Sequence, residues 1–592
     1  MCGFAGEVRF DGRPVDVDAL GRMSGRMVAR GPDSAGIWQR GPVGLAHRRL
    51  TIIDLSPSGE QPMVDSELGL SLVFNGCIYN YRELRTELEQ AGYRFFSRSD
   101  SEVILKAYAC WGPRCVERFF GMFAFVIAER DSGRLVMARD RLGIKPLYLA
   151  RSPGRLRFAS TLPALLAGGG VDTRIDSVAL HHYMTFHSVV PSPRTILEGV
   201  RKLPPATVRV IEPDGTEADQ LYWEPSAVRP SEPRTPDEWR EAVLAALRRA
   251  VQRRMVADVP VGVLLSGGID SSLVVALLAE SGQRGLKTFS IGFEAAGGES
   301  GDEFYYSNIV AERFATDHQQ IRIASSGLLS AIDGAIDNMS EPMISHDAVA
   351  FYLLSEQVSK HVKVVQSGQG ADEIFAGYDW YPPLAGVPRA AALDTYARVF
   401  FDRTHAAMAE VLSPDRLPAS DVSRDFVQAH FARPGAETAL DAALRIDTTI
   451  MLVDDPVKRV DNMTMAWGLE GRVPFLDHEL VELAAACPPE LKLALGGKGV
   501  LKDAARSLLP AEVIDRPKGY FPVPGIRHLG GPLLAKVRDA LLSRPARERE
   551  LFRPSYVQKL LERPNDTRST LGSNQTWQLG LLEMWLSRHG VG

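Results

Sequence analysis

One stretch constrains this chain more than any other: Leu264-Leu265-Ser266-Gly267-Gly268-Ile269-Asp270-Ser271-Ser272, set between an apolar run and a helical pattern. Val261 to Leu265 suits a buried parallel strand, and Leu273-Val274-Val275-Ala276-Leu277-Leu278 suits the apolar side of a helix packed on it. Between them, Gly267 and Gly268 let the backbone turn its N–H groups toward an anion. Ser266, Ser271 and Ser272 add hydroxyl donors, and the helix contributes its positive N-terminus. Such a turn can cradle a pyrophosphate. Asp270 belongs there if its carboxylate holds Mg²⁺ against phosphate oxygens. Taken alone, the segment also reads as an ordinary Gly/Ser strand-to-helix turn.

No lysine follows the glycines, which excludes the G-x-x-x-x-G-K-[ST] loop of enzymes that transfer the γ-phosphate. The segment resembles instead the S-G-G-x-D-S motif of ATP pyrophosphatases. That resemblance implies cleavage between the α and β phosphates, with AMP left on a carboxylate.

A chain of 592 residues is too long for one core, so two or more domains are expected. With 24% charged residues and a formal charge of −5, it has no general attraction for nucleic acid or an anionic membrane. No apolar run approaches the ~20 residues of a membrane span. Arg9, Asp11, Arg13 and Asp16 interrupt anything like a signal peptide, and a cytoplasmic protein is expected. Cys2, Cys77, Cys110, Cys115 and Cys487 are scattered and form no C-x-x-C pair, against both a disulfide framework and zinc. The expected partners are small molecules, and a homodimer is left open.

Cys2 directly follows the initiator Met, whose removal would leave an N-terminal cysteine. A thiolate is a good nucleophile, and the residue's own α-amino group, with a pKa of about 7.7–8.0, can serve as its general base. Then come Cys2-Gly3-Phe4-Ala5-Gly6, Arg30-Gly31-Pro32-Asp33, His47-Arg48-Arg49-Leu50, Phe74-Asn75-Gly76 and Ser99-Asp100. In order and spacing they resemble the glutaminase domain of class II glutamine amidotransferases. The resemblance implies that Arg49 pairs with the α-carboxylate of glutamine and Asp100 with its α-ammonium, with Leu50 and Ile53 beside them. It also implies that the Asn75 side chain and the Gly76 N–H form an oxyanion hole. Singly, these residues could be a solvated arginine, a hairpin turn and a helix cap.

The strands read at Gly121 to Ile127 and Arg134 to Asp140, with helical patterns at Tyr81 to Gln90 and Glu102 to Cys110, suit the α+β sandwich (αββα) of N-terminal-nucleophile hydrolases over residues 1–210. A turn at Glu212-Pro213-Asp214-Gly215 and a Pro-rich, charged stretch mark 211–234 as a linker. The second domain, 235–592, opens on the capping-box pattern Thr235-Pro236-Asp237-Glu238. Strands at Thr288 to Phe293 and Val362 to Val365 alternate with helices, as in an α/β domain with a parallel sheet. The later strand runs into a second glycine turn with acids, Ser367-Gly368-Gln369-Gly370-Ala371-Asp372-Glu373.

From Cys2 to about Pro524 the segments resemble glutamine-dependent asparagine synthetases, whose second domain is of the ATP-pyrophosphatase type. The resemblance implies that Leu264, Ile291, Ser367 and Gly368 surround the adenosine, that Asp270 and Asp372 hold Mg²⁺ on the pyrophosphate, and that Lys518 neutralises the leaving pyrophosphate. Ala466 to Asp477 matches a family segment that implies support near the acceptor site. Three positions depart from the family: Ala29 stands for His, Cys77 for the Glu of Asn-Gly-Glu, and Gln369 for a Glu implicated in synthetase chemistry, where a neutral amide cannot be a general base.

Val365 to Glu373, Asp454 to Met465 and Lys518 to Pro524 resemble one branch more closely, the N-acetylglutaminylglutamine amidotransferases. That branch implies amidation of the C-terminal carboxylate of an acetylated glutamine dipeptide, giving a compatible solute. Two alternatives stand beside it: an asparagine synthetase acting on aspartate, and a nucleotide- and glutamine-binding regulator without transfer activity. Ser340-Glu341-Pro342 and His346-Asp347 are acceptor-site candidates by place alone, against a capped loop entering a helix at Val349 to Leu354.

Overall fold

In the computed structural model, which describes residues 2–294, 304–517 and 524–592, the first half of the chain packs two six-stranded antiparallel sheets face to face. One sheet centres on Gly3–Arg9, flanked by Arg155–Ala159 and Val43–Arg49. The other centres on Leu70–Ile78 and Gly121–Glu129. Phe4, Leu45, Val73, Val126, Met137 and Phe158 fill the space between them. Helices Val17–Gly25 and Leu162–Gly168 cover the outer face of the first sheet, and Asp100–Trp111 with Tyr81–Gln90 covers the second, completing an αββα sandwich. Because both faces of the central strands are covered, Leu70–Ile78 reads as a nearly continuous apolar run.

The second sheet does not stop near residue 210. A hairpin turning at Glu212-Pro213-Asp214-Gly215 pairs Thr207–Ile211 with Glu217–Leu221, so the start of the expected linker is the sheet's edge strand. Glu217–Leu221 is exposed on both faces, and its sequence therefore lacks the alternation that announces a strand.

Thr235 and Glu238 form a reciprocal capping box, with Glu238 Oε2 accepting from Thr235 N at 2.7 Å, and the helix Pro236–Arg253 buries Trp239, Val243, Leu247 and Val251. Behind it lies a five-stranded sheet ordered Asp317–Ile323, Lys287–Phe293, Val261–Leu264, Val364–Gln366, Glu470–Arg472. Every pairing is parallel. The chain leaves Val261–Leu264 toward one edge and later returns to its other side. The switch point therefore falls between Val261–Leu264 and Val364–Gln366, where open parallel sheets bind ligands. Both glycine turns follow these two strands.

A run of helix from Ala439 to Met465 crosses this end of the sheet. Its middle is π-helical at Asp447–Met451 and Val453–Val457, with Pro456 inside the second segment. Wider π turns keep residues four apart on one face, and Asp447, Met451, Asp455 and Arg459 all line the same cavity. Among the described residues, no helix is long and apolar enough to cross a membrane.

Candidate active sites

Cys2 immediately precedes the central strand Gly3–Arg9 of the first sheet and is buried against the second. Its backbone N–H donates to Asn75 Oδ1 at 3.1 Å. The backbone of Leu50 hydrogen-bonds to its thiol, but burial dominates and pushes the thiol's pKa up. Asn75 is fully buried, and its Nδ2 has no hydrogen-bond partner among the described residues. A buried amide donor without a partner is costly unless something else takes it. Beside it, a Cβ at Gly76 would lie 2.1 Å from the Met122 carbonyl oxygen, so only glycine keeps this strand against Gly121–Glu129.

Arg49, at the end of its strand, is held by carbonyls: Nη1 donates to Ser56 O at 3.0 Å and Nη2 to Ile53 O at 3.3 Å. Leu50 and Ile53 are buried beside it. Asp100 opens its helix after the Ser99 cap and accepts from the Ile78 N–H at 3.0 Å. Burial, with a further contribution from Glu470, pushes its pKa up to about 6. His47 is no base for the thiol. Burial holds its pKa down near 3, and Nε2 faces the Phe74 carbonyl at 3.1 Å.

In the second half, a cavity of about 490 Å³ opens at the switch point. Leu264, Ser266, Gly268, Asp270, Ser271, Ile291, Ser367, Gly368 and Asp372 line it. Gly267 and Ser272 do not. Gly267 shapes the turn at φ +76°, with no room for a Cβ beside Ser307 N at 2.5 Å, and Ser272 points into the core. Ser271 Oγ lies 3.1 Å from Ser266 Oγ and donates to Gly268 O at 3.2 Å, which folds the loop back on itself. Lys518 lies outside the described residues.

Asp270 and Asp372 converge on one cation, Lys498, whose Nζ stands 2.7 and 2.8 Å from their carboxylates. Burial lowers the lysine's pKa, but the two aspartates outweigh it and raise it overall. Two carboxylates aimed at one point fit a Mg²⁺ ion, which binds through one or two carboxylates together with phosphate oxygens and water. Sequence reasoning passed over Lys498, although a lysine between Gly497 and Gly499 is a signal, and its backbone is left-handed at φ +56°. It also passed over Arg516, whose Nη2 lies 3.8 Å from where a Gly268 Cβ would sit, beside the Ser266–Ser271 turn.

The far end of the cavity is aromatic and polar. Tyr378 and Trp380 stack at 4.0 Å, with Phe186, Phe400 and Met451 nearby. Arg459 donates to Ser345 Oγ at 2.7 Å and faces Asp455 at 3.4 Å. Its buried Nε has no partner among the described residues. Asp347 stands 4.0 Å from Arg459 with His346 beside it, and both line the cavity, as does Gln369. Glu341 does not: it is buried against Lys202 at 3.0 Å and Tyr148 at 3.3 Å, between the two halves. His346 precedes the helix Asp347–Val358 without capping it through its side chain.

Arg472 and Glu470 also correct an expectation. None of Ala466 to Asp477 lines the cavity, and Arg472 donates instead to Cys77 Sγ at 3.7 Å, near Cys2.

Residues 242–587 match the asparagine synthase family, and residues 1–223 match the glutamine amidotransferase domain. Asparagine synthetase [glutamine-hydrolyzing] 1 of Bacillus subtilis is 32% identical, over 99% of this chain and 96% of its own length. A putative asparagine synthetase of Mycobacterium tuberculosis is 34% identical, over 86% and 84%. Amidase chyE of Penicillium rubens is 26% identical, over 95% and 93%.

Proposed function

The chain belongs to the asparagine synthase family and is a glutamine-hydrolysing, ATP-using ligase of the asparagine synthetase type, and on that premise we propose that it amidates the C-terminal carboxylate of N-acetylglutaminylglutamine. One observation carries the choice of acceptor. Asp455, Pro456 and Arg459, from the segment with the branch-specific pattern, face the same end of the cavity as the stacked Tyr378 and Trp380. An extended acyl dipeptide without a free ammonium suits an aromatic wall better than a small zwitterion does. Arg459 Nε could then be taken by a peptide carbonyl. The same free donor favours a second reading, because the α-carboxylate of aspartate would also satisfy it.

In the proposed reaction Cys2 attacks the glutamine amide, with its own α-amine as base once the initiator Met is removed. Asn75 Oδ1 orients that amine, and Nδ2 with the Gly76 N–H receives the oxyanion. Arg49 and Asp100 take the α-carboxylate and α-ammonium of glutamine. In the second site, the Ser266–Ser271 loop and Arg516 cradle the phosphates while Leu264, Ile291 and Ser367 take the adenosine. Asp270 and Asp372 would hold Mg²⁺, which neutralises charge on the phosphate oxygens, and Lys498 is then free to reach the pyrophosphate. Adenylation gives the acceptor carboxylate a leaving group, and ammonia displaces AMP. Ammonia must stay out of bulk water, where it would be protonated.

Asn75→Ala is expected to lower kcat for glutamate release by about 10²–10³-fold at saturating glutamine. A loss below tenfold would mean that the oxyanion is held elsewhere. The acceptor is decided by measuring pyrophosphate release from MgATP and glutamine, with aspartate and N-acetylglutaminylglutamine offered separately and the amide identified by mass. Release with the dipeptide alone is expected, and release with aspartate alone would replace this reading by the second.

A further inference from the structure

The glutamine pocket is not finished within its own domain. Position 77 follows Gly76 and carries a buried thiol, which offers the pocket no charge. The structure places a carboxylate there from 393 residues further along the chain. Glu470 opens the edge strand of the parallel sheet, is 1% exposed, and accepts from Arg472 Nε at 2.5 Å. Arg472 reaches across the domain boundary, with Nη2 on Cys77 Sγ at 3.7 Å and its guanidinium 5.5 Å from the centre of the Tyr79 ring. Its Nη1 is tied to the carbonyls of Arg254 and Val256 at 2.7 and 2.8 Å, so it cannot swing away. Cys77 is followed by Ile78, whose N–H holds Asp100. Glu470, Arg472, Cys77 and Asp100 therefore form one buried cluster around the end of strand Leu70–Ile78.

We propose that Glu470, supplied by the synthetase domain, acts together with Asp100 as the anionic pair that receives the α-ammonium of glutamine. The charge of Glu470 already acts on this pocket. It raises the pKa of both Cys2 and Asp100 beyond what burial does, while Arg472, working against burial, holds Glu470 itself ionised with a pKa near 2. A substrate ammonium would relieve the repulsion between the two carboxylates. The same strand also serves the other site, because the Ser367 N–H of the adenosine turn donates to the Arg472 carbonyl at 2.8 Å. Three residues thus hold a wall of each pocket, and glutamine binding depends on the synthetase sheet being in place.

The inference rests on glutamine hydrolysis and is indifferent to the acceptor. It is tested on the full chain with two substrates, glutamine and glutaramate, which is glutamine without its α-amine. Glu470→Gln keeps the shape and an acceptor for Arg472 but removes the charge. It is expected to lower kcat/KM for glutamine by about tenfold or more through KM, the size of a lost charged hydrogen bond, and to leave kcat/KM for glutaramate nearly as it was. Adding Cys77→Glu, which puts a carboxylate beside Arg472 from the other domain, is expected to restore most of the glutamine KM. Equal losses on both substrates, or no loss on glutamine, would reduce Glu470 to a structural ion pair and overturn the proposal. Should Glu470→Gln not fold, Glu470→Asp withdraws the carboxylate without removing its charge. The ratio of the two substrates decides in the same way.

Discussion

Cys2→Ala is expected to abolish glutamine-driven pyrophosphate release, by at least about 10³-fold, while free ammonia still drives the synthetase reaction. The size follows from chemistry that nothing nearby can replace. The thiol is buried and its pKa is raised, so it is not a standing thiolate and needs a base at the moment of attack. His47, buried and neutral with a pKa near 3, faces a carbonyl and cannot supply one. That leaves the α-amine of Cys2, whose nitrogen is oriented by Asn75 Oδ1. The synthetase cavity shares no lining residue with this pocket. Glutamine-driven turnover that survived would exclude Cys2 as nucleophile, and ammonia that failed to drive the variant would break the division of labour between the domains.

Asp461→Asn is expected to cost about 3–5 kcal/mol of stability, read as a lower urea midpoint, because it leaves two buried cations facing a neutral amide. Asp461 is 2% exposed and holds Arg30 Nη1 at 2.9 Å and Lys145 Nζ at 3.1 Å. Burial pushes its pKa up, but Arg30 and Lys145 together outweigh burial and hold it below the usual carboxylate range. A lowered pKa stabilises the fold at pH values above the unfolded value, and that contribution is lost as pH falls through the folded one. The gap between parent and variant is therefore expected to be widest near neutral pH and to close in strong acid. Arg30 also reaches the Cys2 carbonyl at 3.4 Å, and the helix of Asp461 carries Arg459 into the synthetase cavity. The variant should accordingly release more glutamate than it makes amide. A glutamate-to-pyrophosphate ratio and a urea midpoint both equal to the parent's would show that this buried triad neither holds the domains together nor couples them.

Chemistry confined to a short stretch was legible in the residues. The turn from Ser266 to Ser271, the capping box at Thr235 and the apolar run Leu273 to Leu278 in the helix after the turn all depend on near neighbours. Residue type and spacing carry that information. Arg49, Asn75 and Asp100 could be named with Cys2 because their order along the chain has a known counterpart, although nothing local brings them together. The edge strand Glu217–Leu221 escaped because it is solvated on both faces and so has no periodicity to read.

What tertiary structure alone decided lies in contacts between distant segments. Lys498 meets Asp270 across 228 positions, and Arg472 meets Cys77 across 395. The π turns that align Asp447 with Arg459 arise within a helix that local pattern would have drawn as α-helix. Whether a buried lysine balances two aspartates, or a carboxylate missing from one domain is met by another, is settled by burial and charge neutrality in three dimensions. Those conditions act on whichever residues the fold brings together, however far apart they stand in the chain.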